Sequence, residues 1–523
     1  METETKFSEA HPSEVQRSPK PDLNFILSIS SDFNIIPIVK EISGDMDTPI
    51  SLFSPFQKEK IAFFFESAEG AGKWGRFSYI CLNPLLTVNL KNNVFEINKF
   101  DGKKVVSSEK FNLSDIREDI FVLLKKTLSE YKLFNDNLPD GFIGGLFGYL
   151  GYEICGLIEK LPPIKYDETG VNDLFFMLPG EIIIYDSLKQ NIIIASFLLK
   201  KGDDPEKIKE ELNSSLKRID KIALLIRERG KSFVYQDRNK EISIQDEIGF
   251  DEYRKKVLKA KEYILNGDIF QVQVSRRKKI INPPDPFLFY RALRFVNPSP
   301  YMFFLKINDF IITGSSPENL VKLSGDYVET RPIAGTIKRG EDVFQDDILA
   351  ERLLSDPKER AEHIMLVDLG RNDIGRVSGL GTVRVEKLMY IEKYSHVQHI
   401  VTSVVSKIKE GYDGFDLIRA TYPAGTVTGA PKIRAMEIIS ELEDSKRGIY
   451  AGGIGYFGFL EGNECRNMEF CITIRTALFK KDAAYIQAAG GIVFDSTPEN
   501  EFNETESKLR GMVTAFNLVS KLD

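Results

Sequence analysis

Short runs of strand-forming residues, separated by turn residues, constrain the fold of this chain more than any other feature. Between Phe25 and Leu199 the runs are rich in Ile, Phe and Val, and the residues between them are mostly Gly, Asn and Asp. Branched and aromatic side chains pack well on a pleated sheet, so this pattern is typical of β-strands. The sequence predicts strands at 61–65, 175–178, 182–185 and 191–198, with one helix near 114–131.

A charged segment after residue 200 separates this strand-rich half from a second half. In the segment, Asp204 can cap a helix whose first residue is Pro205, and aliphatic residues then recur at helical spacing. The second half alternates helices and strands. We predict helices at 251–266, 346–355 and 357–369, a strand at 269–275, hairpins within 301–332, and a last helix that starts at Thr497 and Pro498.

These changes of composition predict four parts of the chain. The first 21 residues are polar, mixed in charge and contain three prolines, without the apolar run of a signal peptide. They indicate a disordered tail rather than a targeting segment. The predicted parts are the tail at 1–21, an N-terminal domain at 22–200, a connecting helix and linker at 201–245, and a second domain at 246–520.

Net charge and cysteine usage exclude several functions. The chain has 70 basic and 77 acidic residues, a net charge of −7, without a basic block. Nucleic acids and anionic membranes need clustered positive charge, so neither is expected as a partner. The Gly-rich uncharged stretch 141–152 is shorter than the roughly 20 apolar residues that cross a bilayer. The four cysteines form no Cys-x-x-Cys pair, which argues against zinc and disulfides. We expect a soluble, cytoplasmic protein that acts on a small molecule.

Two nucleotide-binding patterns are present but incomplete. Residues 453–458 match the Gly-x-Gly-x-x-Gly pattern, yet no helical pattern follows them, as a dinucleotide site would require. Residues 230–232 read Gly-Lys-Ser, but Leu225 stands where a phosphate-binding loop needs glycine. Neither segment predicts a nucleotide site.

Acidic residues on two predicted helices suggest a metal site. Asp356 can cap the first helix and Glu359 can close a capping box, which places Glu359 and Glu362 on one face. On the last helix, Glu504 and Lys508 lie beside the apolar stripe. Carboxylates with few other ligands nearby suit Mg²⁺, which keeps waters and binds substrate oxygens. Helical glutamates are also typical of a solvated surface, so the helices alone leave that alternative open.

Longer motifs carry a resemblance to a known family. The motifs in the second half resemble the chorismate-utilising enzymes over residues 246–515, in the family's order. Three further motifs extend the resemblance over nearly the whole chain. They are similar to motifs of the family members that form anthranilate. The first set is Thr330-Arg-Pro-Ile-Ala-Gly-Thr336, Ala361-Glu-His363, Leu366-Val-Asp-Leu-Gly-Arg-Asn-Asp373, Tyr422-Pro-Ala-Gly-Thr-Val-Thr-Gly-Ala-Pro-Lys432 and Gln487-Ala-Ala-Gly-Gly-Ile-Val493. The others are Phe65-Glu-Ser-Ala-Glu69, Trp74-Gly-Arg-Phe-Ser78 and Asn297-Pro-Ser-Pro-Tyr-Met302.

Two positions distinguish the reactions of this family. Ala334 stands where aminodeoxychorismate synthases typically carry a nucleophilic lysine, and Gln271 stands where isochorismate and salicylate synthases typically carry a lysine that activates water. The resemblance therefore implies ammonia as the nucleophile, loss of the ring hydroxyl, and elimination of pyruvate to give anthranilate. The alternatives are an aminodeoxychorismate synthase and, in another class, an inactive regulatory subunit that binds chorismate or tryptophan.

The resemblance also implies roles for individual residues. Mg²⁺ is expected at Glu362 and Glu504, and His399 is expected to act as a general acid, with His396 the less favoured histidine. Thr426 is the second catalytic candidate. The expected chorismate-binding residues are Gly335, Thr336, Tyr450, Arg475, Ala489, Gly490, Gly491 and Lys508.

Fold, partner and regulation follow from the same resemblance. It implies an α+β fold in which large antiparallel β-sheets pack against each other with helices on the outside. None of the cysteines has the Gly-flanked setting of a glutaminase nucleophile, so a separate glutamine amidotransferase subunit and a hetero-oligomer are expected. Ser67 and the segment Pro300-Tyr301-Met302 resemble the site at which tryptophan inhibits. A core serine and a turn are the alternative there.

Overall fold

The computed structural model describes residues 19–67, 76–116, 118–135, 144–163, 166–228, 241–394 and 397–519. Several sequence predictions fall outside these residues. They are most of the tail, the Gly-Lys-Ser segment, part of the motifs at 65–69 and 74–78, and His396.

Antiparallel strands dominate the described residues, and every ladder between named strands is antiparallel. There are 22 strands in this part of the chain. They are β1 Ile35–Ser43, β2 Ile61–Glu66, β3 Phe77–Lys91, β4 Val94–Asp101, β5 Lys104–Asn112, β6 Gly145–Leu150, β7 Leu174–Asp186, β8 Asn191–Leu199, β9 Ser243–Asp246, β10 Gln271–Ile281, β11 Tyr301–Ile307, β12 Phe310–Ser316, β13 Asn319–Ser324, β14 Tyr327–Thr330, β15 Ile333–Lys338, β16 Arg384–Lys393, β17 Val397–Lys407, β18 Gly429–Ala430, β19 Gly453–Gly458, β20 Asn467–Ile472, β21 Thr476–Lys480 and β22 Ala483–Ile492.

Twelve α-helices accompany the strands within the described ranges. They are α1 Leu23–Ser28, α2 Pro49–Phe53, α3 Ile120–Ser129, α4 Cys155–Ile158, α5 Pro205–Arg227, α6 Phe250–Leu265, α7 Pro286–Val296, α8 Val343–Ser355, α9 Pro357–Gly375, α10 Gly414–Thr421, α11 Lys432–Leu442 and α12 Pro498–Leu518. No described helix combines the length and apolar character that crossing a membrane requires.

The strand pairings follow two series that share β3 and β7. The first series runs β1-β8-β7-β3-β2-β11-β12-β21-β22-β10, and β9 and β18 pair with the far side of β10. The second runs β5-β4-β3-β7-β6-β19-β20-β13-β14-β17, and β15 and β16 also pair with β17. The register shifts where Pro84 lies opposite Pro179, between the two halves of the shared strands.

Aromatic side chains fill the space between the two series. The ring of Phe65 on β2 lies 5.8 Å from that of Phe147 on β6, and Tyr149 on β6 contacts Phe310 on β12 edge-on at 6.5 Å. Both strand series contribute to one hydrophobic core that extends from Ile35 to Ile492. The predicted α+β fold of packed antiparallel sheets is therefore confirmed.

Helices cover the outer surfaces of the first series. Helices α5 and α7 bury aliphatic and aromatic residues against β1, β2, β8 and β11. Helix α12 packs with α7 over β10, β21 and β22. This arrangement places the predicted ligand Glu504, on α12, above the strand that carries Gln271.

Strands from the two predicted domains pair directly with each other. Strand β2 pairs with β11, and β6 pairs with β19. The division near residue 245 stays a prediction, but the two parts share sheets and a core, because neither series is complete without strands from both.

Several predicted elements are confirmed, and others differ. Asp204 caps α5 and Thr497 caps α12, as predicted. The predicted capping box at Asp356 is wrong, because Asp356 caps α9 alone while the Glu359 side chain faces Gly335 instead. The runs at 175–178 and 182–185 form one strand that continues through Pro179 and Gly180, while the partner strand β3 carries a register shift at Pro84 and Leu86. The helix predicted near 114–131 starts later, at the Asp119 cap, and α9 continues to residue 375.

Candidate active site

Strand β10 forms the floor of the site through two glutamine side chains. Gln271 and Gln273, two residues apart on this strand, are both buried. They fit because β22 carries Gly491 opposite: a Cβ there would lie 3.0 Å from Gln271 Nε2 and 2.9 Å from Gln273 Nε2. Glycine at this position therefore makes room for polar side chains beneath the site.

Carboxylates from α9 and α12 converge above this floor. Gln271 Nε2 donates a hydrogen bond to Glu362 Oε1 at 2.7 Å. Burial raises the pKa of Glu359, and the negative charges of Glu362 and Glu504 raise it further. The two helices thus bring their acidic side chains within electrostatic reach of one another, as the resemblance implies.

The α12 side of the site combines a lysine with a buried acid. Lys508 Nζ lies 2.6 Å from Glu504 Oε1 and donates to the carbonyl of Ala489 at 2.8 Å. Glu501 is buried, and its Oε2 has no hydrogen-bond partner among the described residues. Burial raises the pKa of Glu501 to about 7, and the charge of Glu504 adds to the shift. A Cβ on Gly490 would lie 2.8 Å from that Glu501 oxygen.

The donor chemistry of these residues fits Mg²⁺. Glu362 and Glu504 offer hard carboxylate oxygens from two helices, and Glu501 holds an unpartnered oxygen nearby. Within the described residues, no group of three or more His, Cys, Asp and Glu side chains forms a metal-ligand set. The two predicted ligands would therefore need substrate and water oxygens to complete a coordination shell.

Arg475 and Tyr450 form a cationic and aromatic group near the carboxylates of Glu504 and Glu318. Arg475 has a φ of +52°, and desolvation lowers its pKa, although the charges of Tyr450, Glu318 and Glu504 oppose this shift. Tyr450 is buried, and its pKa rises to about 12. A guanidinium freed from water recognises a carboxylate strongly, so this group suits an anionic substrate.

Glu318 is a site residue that the sequence reasoning missed. It is 6% exposed, at the turn between β12 and β13, and burial raises its pKa to about 8. The Thr426 hydroxyl and the charges of Arg475 and Lys508 act in the opposite direction. A carboxyl group that stays protonated at neutral pH can donate a proton. The sequence offers only a single acidic residue in a polar turn between two apolar strands.

His399 lies on β17 opposite Thr336 of β15, beside the β-bulge at Gly335. Its Nδ1 is 2.9 Å from Thr336 Oγ1 and 3.3 Å from the carbonyl of Gly335. Desolvation lowers the pKa of His399 to about 4, and the charge of Arg475 lowers it further. Gly335 has a φ of +80°, and a Cβ there would lie 3.0 Å from a Glu359 carboxylate oxygen. Glycine is required at this bulge for both reasons.

The predicted tryptophan-site residues also lie together. Met302 pairs with Glu66 across β11 and β2, so Ser67 follows directly beside this segment. The Tyr301 hydroxyl donates to Glu469 Oε1 at 2.9 Å and accepts from Asn319 Nδ2 at 3.2 Å. Asn319 adjoins Glu318, so the segment Pro300–Met302 connects to the candidate active site through one side chain.

Comparison with known proteins assigns the family. Residues 92–514 match the model of the chorismate binding enzyme family. Anthranilate synthase component 1 of Acetivibrio thermocellus is 43% identical over 502 residues, 95% of this chain and 98% of the relative. The Aquifex aeolicus protein of the same name is 40% identical over 505 residues, again 95% of this chain and 98% of the relative.

Solved structures agree with this assignment. The crystal structure of anthranilate synthase component I from Streptococcus pneumoniae has a TM-score of 0.69 and 33% identity, over 85% of this chain and 93% of that one. The menaquinone-specific isochorismate synthase of Escherichia coli shares the fold, with a TM-score of 0.66 at 17% identity over 94% of this chain and 98% of that one. The chain therefore belongs to the chorismate-binding enzymes, in their anthranilate synthase component I group.

Proposed function

We propose that this chain converts chorismate and ammonia to anthranilate and pyruvate in tryptophan biosynthesis. The observation that carries the proposal is the side chain of Gln271, which is buried in the site and bonded to Glu362. An amide cannot deprotonate water, so a nucleophile that needs no activation, ammonia, is favoured. Ala334 likewise offers no amine for a covalent intermediate.

Chorismate is a dicarboxylate, and the site offers charge and backbone donors to bind it. Arg475 supplies a planar guanidinium for one carboxylate, and Tyr450 lies beside it. Gly490 and Gly491 allow close approach of the β22 backbone. Lys508 holds the same strand through Ala489 and completes the positive side of the site.

Glu362 and Glu504 are proposed to hold Mg²⁺. When bound, the ion would neutralise a ring carboxylate and draw electron density from the diene. Gln271 orients Glu362 through its amide, and Lys508 orients Glu504 through an ion pair. These contacts keep both carboxylates directed into the site.

Two residues are proposed to handle the proton that leaves with the ring hydroxyl. Glu318 is protonated at neutral pH because burial raises its pKa to about 8, so it can donate directly. His399 is neutral without substrate, because its pKa is lowered to about 4. Binding of a dianion nearby would raise the pKa of His399, and only then could it act as the predicted acid.

A glutamine amidotransferase subunit is the proposed source of ammonia, in a hetero-oligomer. All four cysteines are free and buried, and burial raises the thiol pKa of each. Such thiols are poor nucleophiles, which supports glutamine hydrolysis on another chain. Free thiols also support a reducing compartment, as in the predicted cytoplasmic location.

Tryptophan is proposed to inhibit by binding beside Ser67 and the segment Pro300–Met302. An effector shifts a conformational equilibrium only through different affinities for two states. Tyr301 is placed to transmit such a difference, because Asn319 joins its hydroxyl to the residue next to Glu318.

The test mixes the purified chain with chorismate, Mg²⁺ and ammonium at mildly alkaline pH. Anthranilate is followed by fluorescence and all products are identified by mass. Anthranilate with pyruvate, lost on chelation, would support the proposal. An aminated ring that keeps its pyruvyl ether would indicate an aminodeoxychorismate synthase, and tight binding without turnover would indicate a regulatory subunit.

A pair of variants tests the substrate site itself. Arg475→Gln removes the guanidinium from the site, and Arg371→Gln removes an exposed one on α9 that pairs with Asp368. We expect the first to raise the KM for chorismate by about 10- to 100-fold, as loss of a charged hydrogen bond implies. The second should leave it unchanged; equal effects would contradict the assignment of Arg475.

A further inference from the structure

A small cavity adjoins the candidate active site behind Glu318 and Thr426. It has a volume of about 30 Å³ and lies between α9, the strands β13 and β14, and the residues that follow α10. Its wall includes Asn319 and Gly370. A cavity of this size accepts one or two molecules the size of water, and it cannot accept any part of a six-membered ring.

One polar atom in the cavity wall has no hydrogen-bond partner among the described residues. It is Asn319 Oδ1, on a residue that is 4% exposed. The Thr426 hydroxyl, also in the wall, interacts with the Glu318 carboxyl group and lowers its pKa. An unpaired buried acceptor costs about 1–3 kcal/mol, so buried polar groups normally have a partner. A small hydrogen-bond donor in the cavity would satisfy Asn319 Oδ1.

The remaining wall carries little free charge. Asp373 lines the cavity, but its carboxylate lies 2.5 Å from the ammonium of Lys432, and both side chains are buried. The other wall residues include Leu320, Leu366 and Ile472. The cavity therefore suits a neutral polar molecule rather than an ion.

We propose that this cavity receives the water formed from the ring hydroxyl of chorismate. The inference rests on the proposed function, because the amination step is the one that releases water. Glu318 borders both the substrate site and the cavity, so an oxygen that takes its proton is already at the cavity entrance.

The step balances without a further reactant. The lone pair of ammonia forms the new C–N bond, the diene electrons shift, and the C–O bond breaks with its electron pair on oxygen. That oxygen takes the proton of Glu318 and becomes water, while the new ammonium group releases one proton to solvent and the Glu318 carboxylate takes one back. The water can then donate to Asn319 Oδ1, which separates it from the aminated ring.

Filling the cavity from Gly370 tests the proposal. A Cβ on this residue would contact only Thr330 Cγ2, at 3.4 Å, so Gly370→Ala and Gly370→Val add methyl groups to the wall without a clash at Cβ. Gly375→Ala and Gly375→Val on the same helix are matched controls, because a Cβ on Gly375 meets no atom within 4 Å. Thermal melting reports whether each variant folds.

The two half-reactions give the readout. We expect Gly370→Val to slow anthranilate formation from chorismate and ammonium by about tenfold or more, and Gly370→Ala by less. Elimination of pyruvate from the supplied aminated intermediate releases no water and should change less than about twofold. Both Gly375 variants should match wild type in both assays.

Three results would overturn the proposal. They are equal slowing of both half-reactions, no slowing of either, or a rise confined to the KM for ammonium, which would make the cavity an ammonia site. A wild-type chain that forms no anthranilate would refute the proposed function instead, so the two failures are distinguishable.

Discussion

The protonation of Glu318 makes the pH dependence of amination predictable. Burial raises the pKa of this carboxyl group from 4.5 to about 8, so the acid form predominates at neutral pH. If Glu318 donates the proton to the leaving oxygen, amination requires the acid form. The rate should then fall as the pH rises through 8, and Glu318→Gln should abolish that fall along with most of the activity.

The size of the effect follows from the pKa. With a pKa of about 8, about ten Glu318 side chains in eleven are protonated at pH 7 and about one in eleven at pH 9, so the amination rate falls about tenfold. Folding stability changes too, because the native state keeps a proton that the unfolded chain releases near pH 4.5. Native stability is thus lost progressively between about pH 4.5 and 8, by up to about 5 kcal/mol.

The assay measures single-turnover amination at a fixed concentration of free ammonia, since that concentration otherwise rises with pH. Without substrate, His399 and Tyr450 do not titrate in this range, because their pKa values are about 4 and about 12. Glu501, with a pKa of about 7, does titrate nearby, so Glu501→Gln is the control and should keep the fall near pH 8. Denaturation at pH 5 and pH 9 gives the second readout.

One result would refute this reasoning: the residual amination rate of the Glu318→Gln variant still falls tenfold between pH 7 and pH 9. The reasoning is also refuted if Glu318→Gln gains no stability relative to wild type between pH 5 and 9. The second result would show that the carboxyl group ionises normally.

Three further predictions concern regulation, metal and stability. Ser67→Arg should weaken tryptophan inhibition and spare turnover, because a large side chain beside Met302 obstructs the predicted effector site; an unchanged inhibition curve would contradict that site. Glu504→Gln should raise the Mg²⁺ concentration for half-maximal activity at least about tenfold, whereas Glu499→Gln at an exposed position of α12 should not. Lys432→Met should cost about 3–5 kcal/mol in chemical denaturation, because it leaves the buried Asp373 carboxylate unpaired, and adding Asp373→Leu should recover most of the loss.

The helices were predictable because their signals are local. Caps at Asp204 and Thr497 and the prolines after them fix where α5 and α12 begin, and the structure has both starts. The strand predicted at 269–275 instead begins at Gln271, and Phe270, predicted on the strand, is 72% exposed. Gln271 and Gln273 on the same strand are buried because one glycine more than 200 positions away, Gly491, leaves room for both side chains. The alternation of polar and apolar residues along one strand carries no information about which distant residue lies opposite it in the sheet.

The candidate site was predictable only through motifs. Family motifs indicated His399, Arg475 and both metal ligands, and the structure brings these residues together, although their roles remain predictions. Glu318 was missed because nothing local distinguishes a buried glutamate from an exposed one at a hairpin turn. Its function depends on burial, which strands distant in sequence create.

The pairing of β2 with β11 and of β6 with β19 has a consequence for synthesis of the chain. About 300 residues separate β6 from its partner, so at about 5–20 residues per second the ribosome needs roughly 15 to 60 s to supply β19. During that interval an apolar strand edge lacks its partner and can pair with another nascent chain. Chaperone supply and translation rate should therefore limit the yield of this protein in a heterologous host more than the stability of its finished fold.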